Sequence, residues 1–354
     1  MRPGLKMKYE VLSNPSRVYK RMLSDIRSAK EEILLETYIY GSDVVGREFC
    51  DELTKKALEG VRVKILIDAW GSNVRKKFFK KLIDAGGKVR FFREFRYVIH
   101  FFNANHERNH RKLLVIDGHL SYVGSINITH SCLDWEELVL RIEGSLAKAL
   151  RLSFRRSWKR FNIWKIARMR KIFHKDVEII QDFPSERYSP TEKNYRRLIK
   201  KARKEILIKT PYFIPSRGMR KAFRKVLARG VKIKMIIPKV SDSRLSDIFR
   251  ERYLGKLNKM GFEIYHFPRI MHSKLLIVDD NFFLLGSSNL DYRSFKHQYE
   301  INILGKSNVI VGSLKKIFYK NLRKSKVFNY ILWKNRGIFK RLIERLVKPF
   351  REYF

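Results

Sequence analysis

The pattern His-x-Lys-x-x-x-x-Asp occurs twice in this chain, at His110, Lys112 and Asp117 and again 162 residues later at His272, Lys274 and Asp279. Each copy leads through an apolar run into a matched tail, Gly124-Ser125-Ile126-Asn127 and Gly286-Ser287-Ser288-Asn289, with 17 residues from His to Asn in both. A glutamate also follows each histidine, Glu137 after 27 residues and Glu300 after 28. Taken singly, these residues have ordinary readings: a strand histidine, a solvated lysine, a turn asparagine. A whole constellation repeated at this spacing is not coincidence, and it implies two similar folding units.

The segments from His110 to Asp117 and from His272 to Asp279 are rich in Leu, Val and Ile, and the first ends at Asp117-Gly118. Each reads as a buried strand, the first entering a tight turn. Residues two apart on a strand share a face, so His110 goes with Lys112 and His272 with Lys274. Asp117 and Asp279, an odd number of positions along, fall on the other face and read as turn or inter-strand braces. Ile33 to Tyr40, Gly46 to Glu59 and Val61 to Asp68 read as strand, amphipathic helix and strand, and Ile206 to Ile214, Met219 to Arg229 and Val231 to Pro238 repeat that order. The expected class is α/β, with two similar halves of mixed sheet and helix related by a pseudo-two-fold and a site at their interface. The halves are expected over residues 1–175 and 176–313, followed by a basic aromatic tail over 314–354.

These motifs carry a family resemblance. With Tyr38-Ile39-Tyr40, Asp43, Gly46, Asp68, Gly71-Ser72, Asn109, Arg141 to Gly144, Thr210 to Pro215 and Gly286 to Ser294, the chain resembles the phospholipase D superfamily, and within it the bacterial cardiolipin synthases. The resemblance runs from about residue 30 to about residue 305. It departs from the family pattern at Gln298, where an Asn is expected, at Glu137, where an Asp is expected, and in having no pair of membrane-spanning helices at its start.

The resemblance implies a two-step phosphodiester exchange. A diester repels nucleophiles by its own charge, so the site must neutralise oxygens and supply an activated attacker. Lys112, Lys274, the amides of Asn127 and Asn289 and the hydroxyls of Ser125 and Ser287 are expected to bind phosphate. His110 is assigned as nucleophile, forming a phosphohistidine, and His272 as the acid that protonates the leaving alkoxide. Glu137 and Glu300 are assigned to the far ring nitrogens, fixing tautomer and basicity. Neither a metal nor another cofactor is called for, because the lysines neutralise the charge. The activity implied is phosphatidyl transfer between two phosphatidylglycerol molecules, giving cardiolipin and glycerol. Plain phospholipase D hydrolysis and a nuclease acting on DNA or RNA are the alternatives.

Composition bears on partners. A net charge of +43 on 354 residues draws polyanions to the surface, and 44% hydrophobic residues argue against wholesale disorder. Arg151 to Lys175 holds ten basic residues with Phe154, Trp158, Phe161, Trp164 and Ile172 near helical spacing; Phe318, Phe328, Trp333, Phe339, Leu346, Phe350 and Phe354 mark the tail. Basic helices with apolar faces suit an anionic bilayer interface, although packing on the body explains the same pattern. Aromatics at this spacing favour a lipid over a nucleic-acid partner. No apolar stretch approaches the roughly 20 residues of a spanning helix, and Met1 to Lys6 carries no secretory signal. The expected location is peripheral, on the cytoplasmic face of the membrane, with a separate anchor protein left open. Cys50 and Cys132 alone form no disulfide framework and suit a reducing compartment.

Overall fold

The computed structural model describes residues 7–93, 107–160, 172–174, 176–185 and 188–347. The first half contains strands β1 (Lys8–Leu12), β2 (Glu32–Thr37), β3 (Arg62–Asp68), β4 (Lys88–Phe92), β5 (Arg108–Asn109), β6 (Leu113–Ile116), β7 (Leu120–Gly124) and β8 (Val139–Glu143). Its helices are α1 (Pro15–Arg27), α2 (Val44–Leu58), α3 (Lys80–Asp84) and α4 (Ser145–Arg160). The second half contains β9 (Ile172–His174), β10 (Val177–Asp182), β11 (Glu205–Lys209), β12 (Lys232–Pro238), β13 (Phe262–Phe267), β14 (Leu275–Val278), β15 (Phe282–Gly286), β16 (Gln298–Lys306) and β17 (Lys326–Val327). With them go α5 (Pro190–Lys201), α6 (Arg217–Leu227), α7 (Arg244–Lys259), α8 (Tyr292–Lys296), α9 (Asn308–Arg323), α10 (Tyr330–Lys334) and α11 (Ile338–Leu346).

The first sheet has the order β1-β8-β7-β6-β2-β3-β4, and the second runs β17-β13-β12-β11-β14-β15-β16-β10-β9. The order β8-β7-β6-β2-β3-β4 recurs as β16-β15-β14-β11-β12-β13. In both, three strands are parallel and the rest antiparallel. The fold is therefore the duplicated mixed α/β architecture expected from the repeat.

Burial on both faces explains the near-continuous apolar strands, such as Glu32–Thr37 and Leu275–Val278, which are buried throughout. One core lies between α1–α3 and the first sheet, and another between α5–α7 and the second. A third joins the halves. Leu113, Val115 and Val123 from one sheet share this core with Leu275, Ile277 and Leu285 from the other, a sheet-on-sheet interface.

Asp117 and Asp279 brace equivalent corners. Asp117 accepts from the amides of Lys30, Glu31 and Glu32 at 2.9, 2.7 and 2.9 Å. Asp279 accepts from those of Arg203, Lys204 and Glu205 at 3.1, 2.8 and 3.0 Å. Both have left-handed backbone, φ 50° and 54°, and Gly118 follows the first at φ 65°.

Three expectations change. The motif strands begin at Leu113 and Leu275, so the histidines and lysines lie in the extended segments just before them. The second sheet begins before residue 176, since β9 pairs with β10. Helix α9 crosses the boundary drawn at residue 313, with Leu314 and Phe318 fully buried. Phe154 and Trp158 are buried too, in the core between the halves, so α4 is a packing helix with a basic back. Phe161, Trp164, Phe350 and Phe354 lie outside the described residues. Helices α10 and α11 differ: Trp333 donates to the Glu251 carbonyl at 2.8 Å, fixing them to α7, yet Ile338, Phe339, Leu342 and Leu346 face outward.

Asp117→Ala strips a charged acceptor from three amides and is expected to lower the unfolding free energy by about 2–4 kcal/mol, read from the urea midpoint. Asp117→Asn keeps one carbonyl oxygen and is expected to cost less. A wild-type midpoint for the alanine variant would show that solvent satisfies these amides equally well.

Candidate active site

The segment carrying His110 is fixed before any side-chain chemistry begins. Buried Asp68 accepts from the Asn109 amide at 2.8 Å, and Glu36 from the Asn109 side chain at 2.9 Å. The His110 amide then donates across the seam to the Tyr299 carbonyl at 3.0 Å. The second half mirrors this, with the His272 amide donating to the Glu136 carbonyl at 2.8 Å. Each histidine backbone thus hangs from the opposite half.

Their rings are held in the same crossed way. His110 Nδ1 lies 3.0 Å from Glu300 Oε1, and His272 Nδ1 lies 3.0 Å from Glu137 Oε1. The sequence suggests a glutamate for each histidine but not that the partners are exchanged between halves, because spacing along the chain says nothing of docking. The two imidazoles face each other with centroids 6.4 Å apart and planes at 89°. At that separation the two rings border one small space, which a single phosphate can share.

Lys112 Nζ donates to the His110 carbonyl at 2.7 Å, and Lys274 Nζ to the His272 carbonyl at 2.6 Å. An ammonium has three protons, so two on each lysine remain for phosphate oxygens. Ser125 and Ser287 depart from the phosphate-binding expectation. Their hydroxyls donate to Glu137 and Glu300 respectively, and each serine also meets the strand backbone beside it. They brace the carboxylates, because full burial turns a short hydroxyl toward the nearest acceptor. Asn127 Oδ1 accepts from the Ile39 amide at 3.1 Å. Asn289 Oδ1 is buried without a hydrogen-bond partner among the described residues.

Burial sets the electrostatics. It pushes Lys112 down to about 7, aided by Lys274, and Lys274 down to about 8 against the pull of Glu137, Asp242 and Glu300. Burial, then both lysines, hold His110 well below its ordinary value. Burial and Lys274 lower His272, with Glu137 opposing. Burial alone would raise the Glu137 carboxyl, but His272 and Lys274 outweigh it and keep it below its ordinary value. The Glu300 carboxyl is raised by burial, against Lys112 and Ser287. Donors from His110 and Ser287 converge on Glu300, and the Gln298 amide, assigned with its nitrogen toward the carboxyl, adds a third at 3.0 Å. This surrounding suits an acceptor, which leaves the Nε2 lone pair of His110 free to face the seam.

Other residues complete the site. The Tyr38 ring lies 5.0 Å from His110 and Trp135 lies 5.4 Å from His272. Gln298, a departure in the sequence, reaches the carboxylate that orients His110. Glu136, Lys209 and Ser273 form a buried network beneath His272, with Ser273 Oγ 2.5 Å from Glu136. Neither Trp135 nor Glu136 lies in a repeated motif, so no duplication drew attention to them. Among the described residues, no three His, Cys, Asp or Glu side chains group as a metal site.

Two docked halves, each supplying a histidine, a lysine and the carboxylate for the other's histidine, define a phospholipase D-like enzyme. The chain belongs to the family described as cardiolipin synthase, PLD-like domain, which matches residues 22–158 and 195–322. It is 31% identical to the major cardiolipin synthase ClsA of Bacillus subtilis, over 96% of this chain and 74% of that protein. It is also 31% identical to a cardiolipin synthase of Listeria welshimeri, over 94% of this chain and 73% of that one. Its fold matches the crystal structure of a phosphatidylserine synthase from Haemophilus influenzae, with a TM-score of 0.77 at 15% identity, covering 98% of this chain and 95% of that one.

The lowered lysine values give a pH signature. In the free enzyme both ammonium groups are charged at low pH and are lost as pH rises through about 7 to 8. Bound phosphate stabilises the charged forms. The alkaline limb of kcat is therefore expected at higher pH than that of kcat/KM, measured on a water-dispersed short-chain phospholipid. Coincident limbs would mean that the lysines do not meet the phosphate.

Proposed function

We propose that this chain is a cardiolipin synthase that moves a phosphatidyl group from one phosphatidylglycerol to the headgroup hydroxyl of another, releasing glycerol. The observation that carries the reading is the facing pair of imidazoles, each with its Nδ1 pinned by a carboxylate of the other half. His110 Nε2 attacks phosphorus while His272 gives its proton to the departing glycerol oxygen. His272 then takes the proton of the acceptor hydroxyl as that oxygen displaces His110. Lys112 and Lys274 hold the non-bridging oxygens, with Asn127 and Asn289 as further phosphate contacts. The lower basicity of His110 and the ionised carboxylate behind His272 support this division of roles. Residues 1–175 and 176–313 act as the two halves, with the exchanges across 172–174 and at α9 noted above.

The same reading puts the enzyme at an anionic phospholipid surface. Among the described residues no helix is long and apolar enough to cross a membrane. Ile338 and Phe339 are 70% and 78% exposed, Leu342 and Leu346 continue that face, and Lys340, Arg341 and Arg345 accompany them on α11. This pairing of apolar and basic groups suits an interfacial helix.

Phosphatidylglycerol vesicles, followed by mass spectrometry, test the activity. Cardiolipin with released glycerol is expected; phosphatidic acid alone would make the enzyme a hydrolase, and cleavage of labelled DNA without lipid turnover would make it a nuclease. His110→Ala and His272→Ala are each expected to lower turnover at least about a thousandfold with vesicle binding retained. Combined Phe339→Ser, Leu342→Ser and Leu346→Ser should weaken vesicle partition at least about tenfold, since each buries apolar area in the interface. Unchanged sedimentation with vesicles would remove α11 from the membrane contact.

A further inference from the structure

The two halves differ most sharply at the mouth of the site. Four residues beyond the end of β3 stands Ser72, whose hydroxyl donates to the Tyr38 carbonyl at 2.9 Å and accepts from the Tyr40 amide at 2.9 Å. That serine is spent on tying its own loop. The equivalent position, four residues beyond the end of β12, is Asp242. It is exposed, and one of its oxygens accepts from the Tyr212 hydroxyl at 2.6 Å. Among the described residues it makes no ion pair and no other side-chain hydrogen bond.

A carboxylate without an ion pair is unexpected in a chain of 78 basic and 35 acidic residues, above all on the side of the site that carries Lys274. Its field reaches His272 and Lys274 in its own half and Tyr38 in the other, and Tyr38 packs on His110. The register agrees: Lys209 of β11 pairs with Ile236 near the end of β12 on one side and with Leu275 at the start of β14 on the other, so the loop carrying Asp242 leaves the sheet at the edge where the His272 segment enters it. A carboxylate there repels a phosphate oxygen, so its ligand is a hydrogen-bond donor and not an anion. In the transfer proposed above, a polyol stands on that side twice, as departing glycerol and then as acceptor headgroup. Both occupy one position, because leaving and entering oxygens lie opposite His110.

We propose that Asp242, fixed by Tyr212, is the glycerol-recognition residue of this enzyme, accepting a hydrogen bond from the secondary hydroxyl while the neighbouring primary hydroxyl reacts. The inference rests on the transferase reading and adds its acceptor specificity. In the second step the primary oxygen bonds to phosphorus and its proton passes to His272. The phosphorus–nitrogen bond breaks, and its electron pair returns to His110. A site built around a polar contact discriminates strongly against an alcohol lacking that group.

The test lets two alcohols compete for one intermediate. Phosphatidylglycerol vesicles are incubated with equal concentrations of deuterated glycerol and 1-propanol, and labelled phosphatidylglycerol and phosphatidylpropanol are quantified. Both products partition from the same phosphohistidine, so their ratio reads acceptor choice alone, however fast the intermediate forms. Wild type is expected to favour glycerol, with the ratio falling about tenfold in Asp242→Asn. Tyr212→Phe, which keeps the carboxylate but frees it to move, is expected to give a smaller fall. Equal ratios in wild type and both variants would overturn the subsite and leave the transferase reading standing. Release of phosphatidic acid alone by the wild type, with neither alcohol captured, would overturn the transferase reading and the subsite together.

Discussion

The structure depends on the exchange of carboxylates between its halves. Two histidines, two lysines and two glutamates are withdrawn from water within one seam, each 5% exposed or less. Such burial is costly unless the charges find partners, and the ring that meets each glutamate comes from the other half. Without the other half Glu300 would keep Ser287 and Glu137 would keep Ser125, but each would lose its histidine. Docking and site assembly are therefore one event, driven by the apolar faces of the two sheets and directed by the crossed pairs. The backbone follows the same rule, since each histidine amide finds its acceptor on the opposite chain segment.

A symmetric scaffold must still perform an asymmetric reaction. The residue between His and Lys in each motif shows how the symmetry is broken. Arg111 reaches the Glu300 and Asp182 carbonyls at 3.2 and 3.4 Å, with Glu36 in its field. Its counterpart Ser273 instead meets Glu136, which is paired with Lys209. Glu36 and Lys209 occupy the same place on the equivalent strands β2 and β11, so the charge behind the site is reversed between halves. Ser72 and Asp242 repeat the contrast at the mouth. Each histidine thereby sits in its own electrostatic setting on a shared backbone.

The large positive charge has a more ordinary distribution than the composition suggests. Basic residues in α4 and α9 back helices whose apolar faces serve the core between the halves. Only α10 and α11, among the described residues, combine a tether to the body with a run of outward apolar side chains. A basic amphipathic pattern by itself does not distinguish these cases, because a helix presents the same periodicity to a core and to a lipid surface.

Local chemistry explains what was legible beforehand. The two motifs, their serine and asparagine tails, the α/β order and the bracing aspartates could be read from spacing, because strand alternation and turn preference act over a few residues. The glutamates could be read as histidine partners by their repeated distance. Their exchange between halves could not, nor could the turning of Ser125 and Ser287 onto those glutamates or the burial of Leu314 and Phe318. Trp135, Glu136 and Lys209 gain meaning only from what lies across the seam, and Asp242 only from the folded loop that brings it to Tyr212. The sequence determined two half-sites; the packing of one sheet on the other decided how they combine, because contacts between residues more than a hundred positions apart are set by docking and not by periodicity.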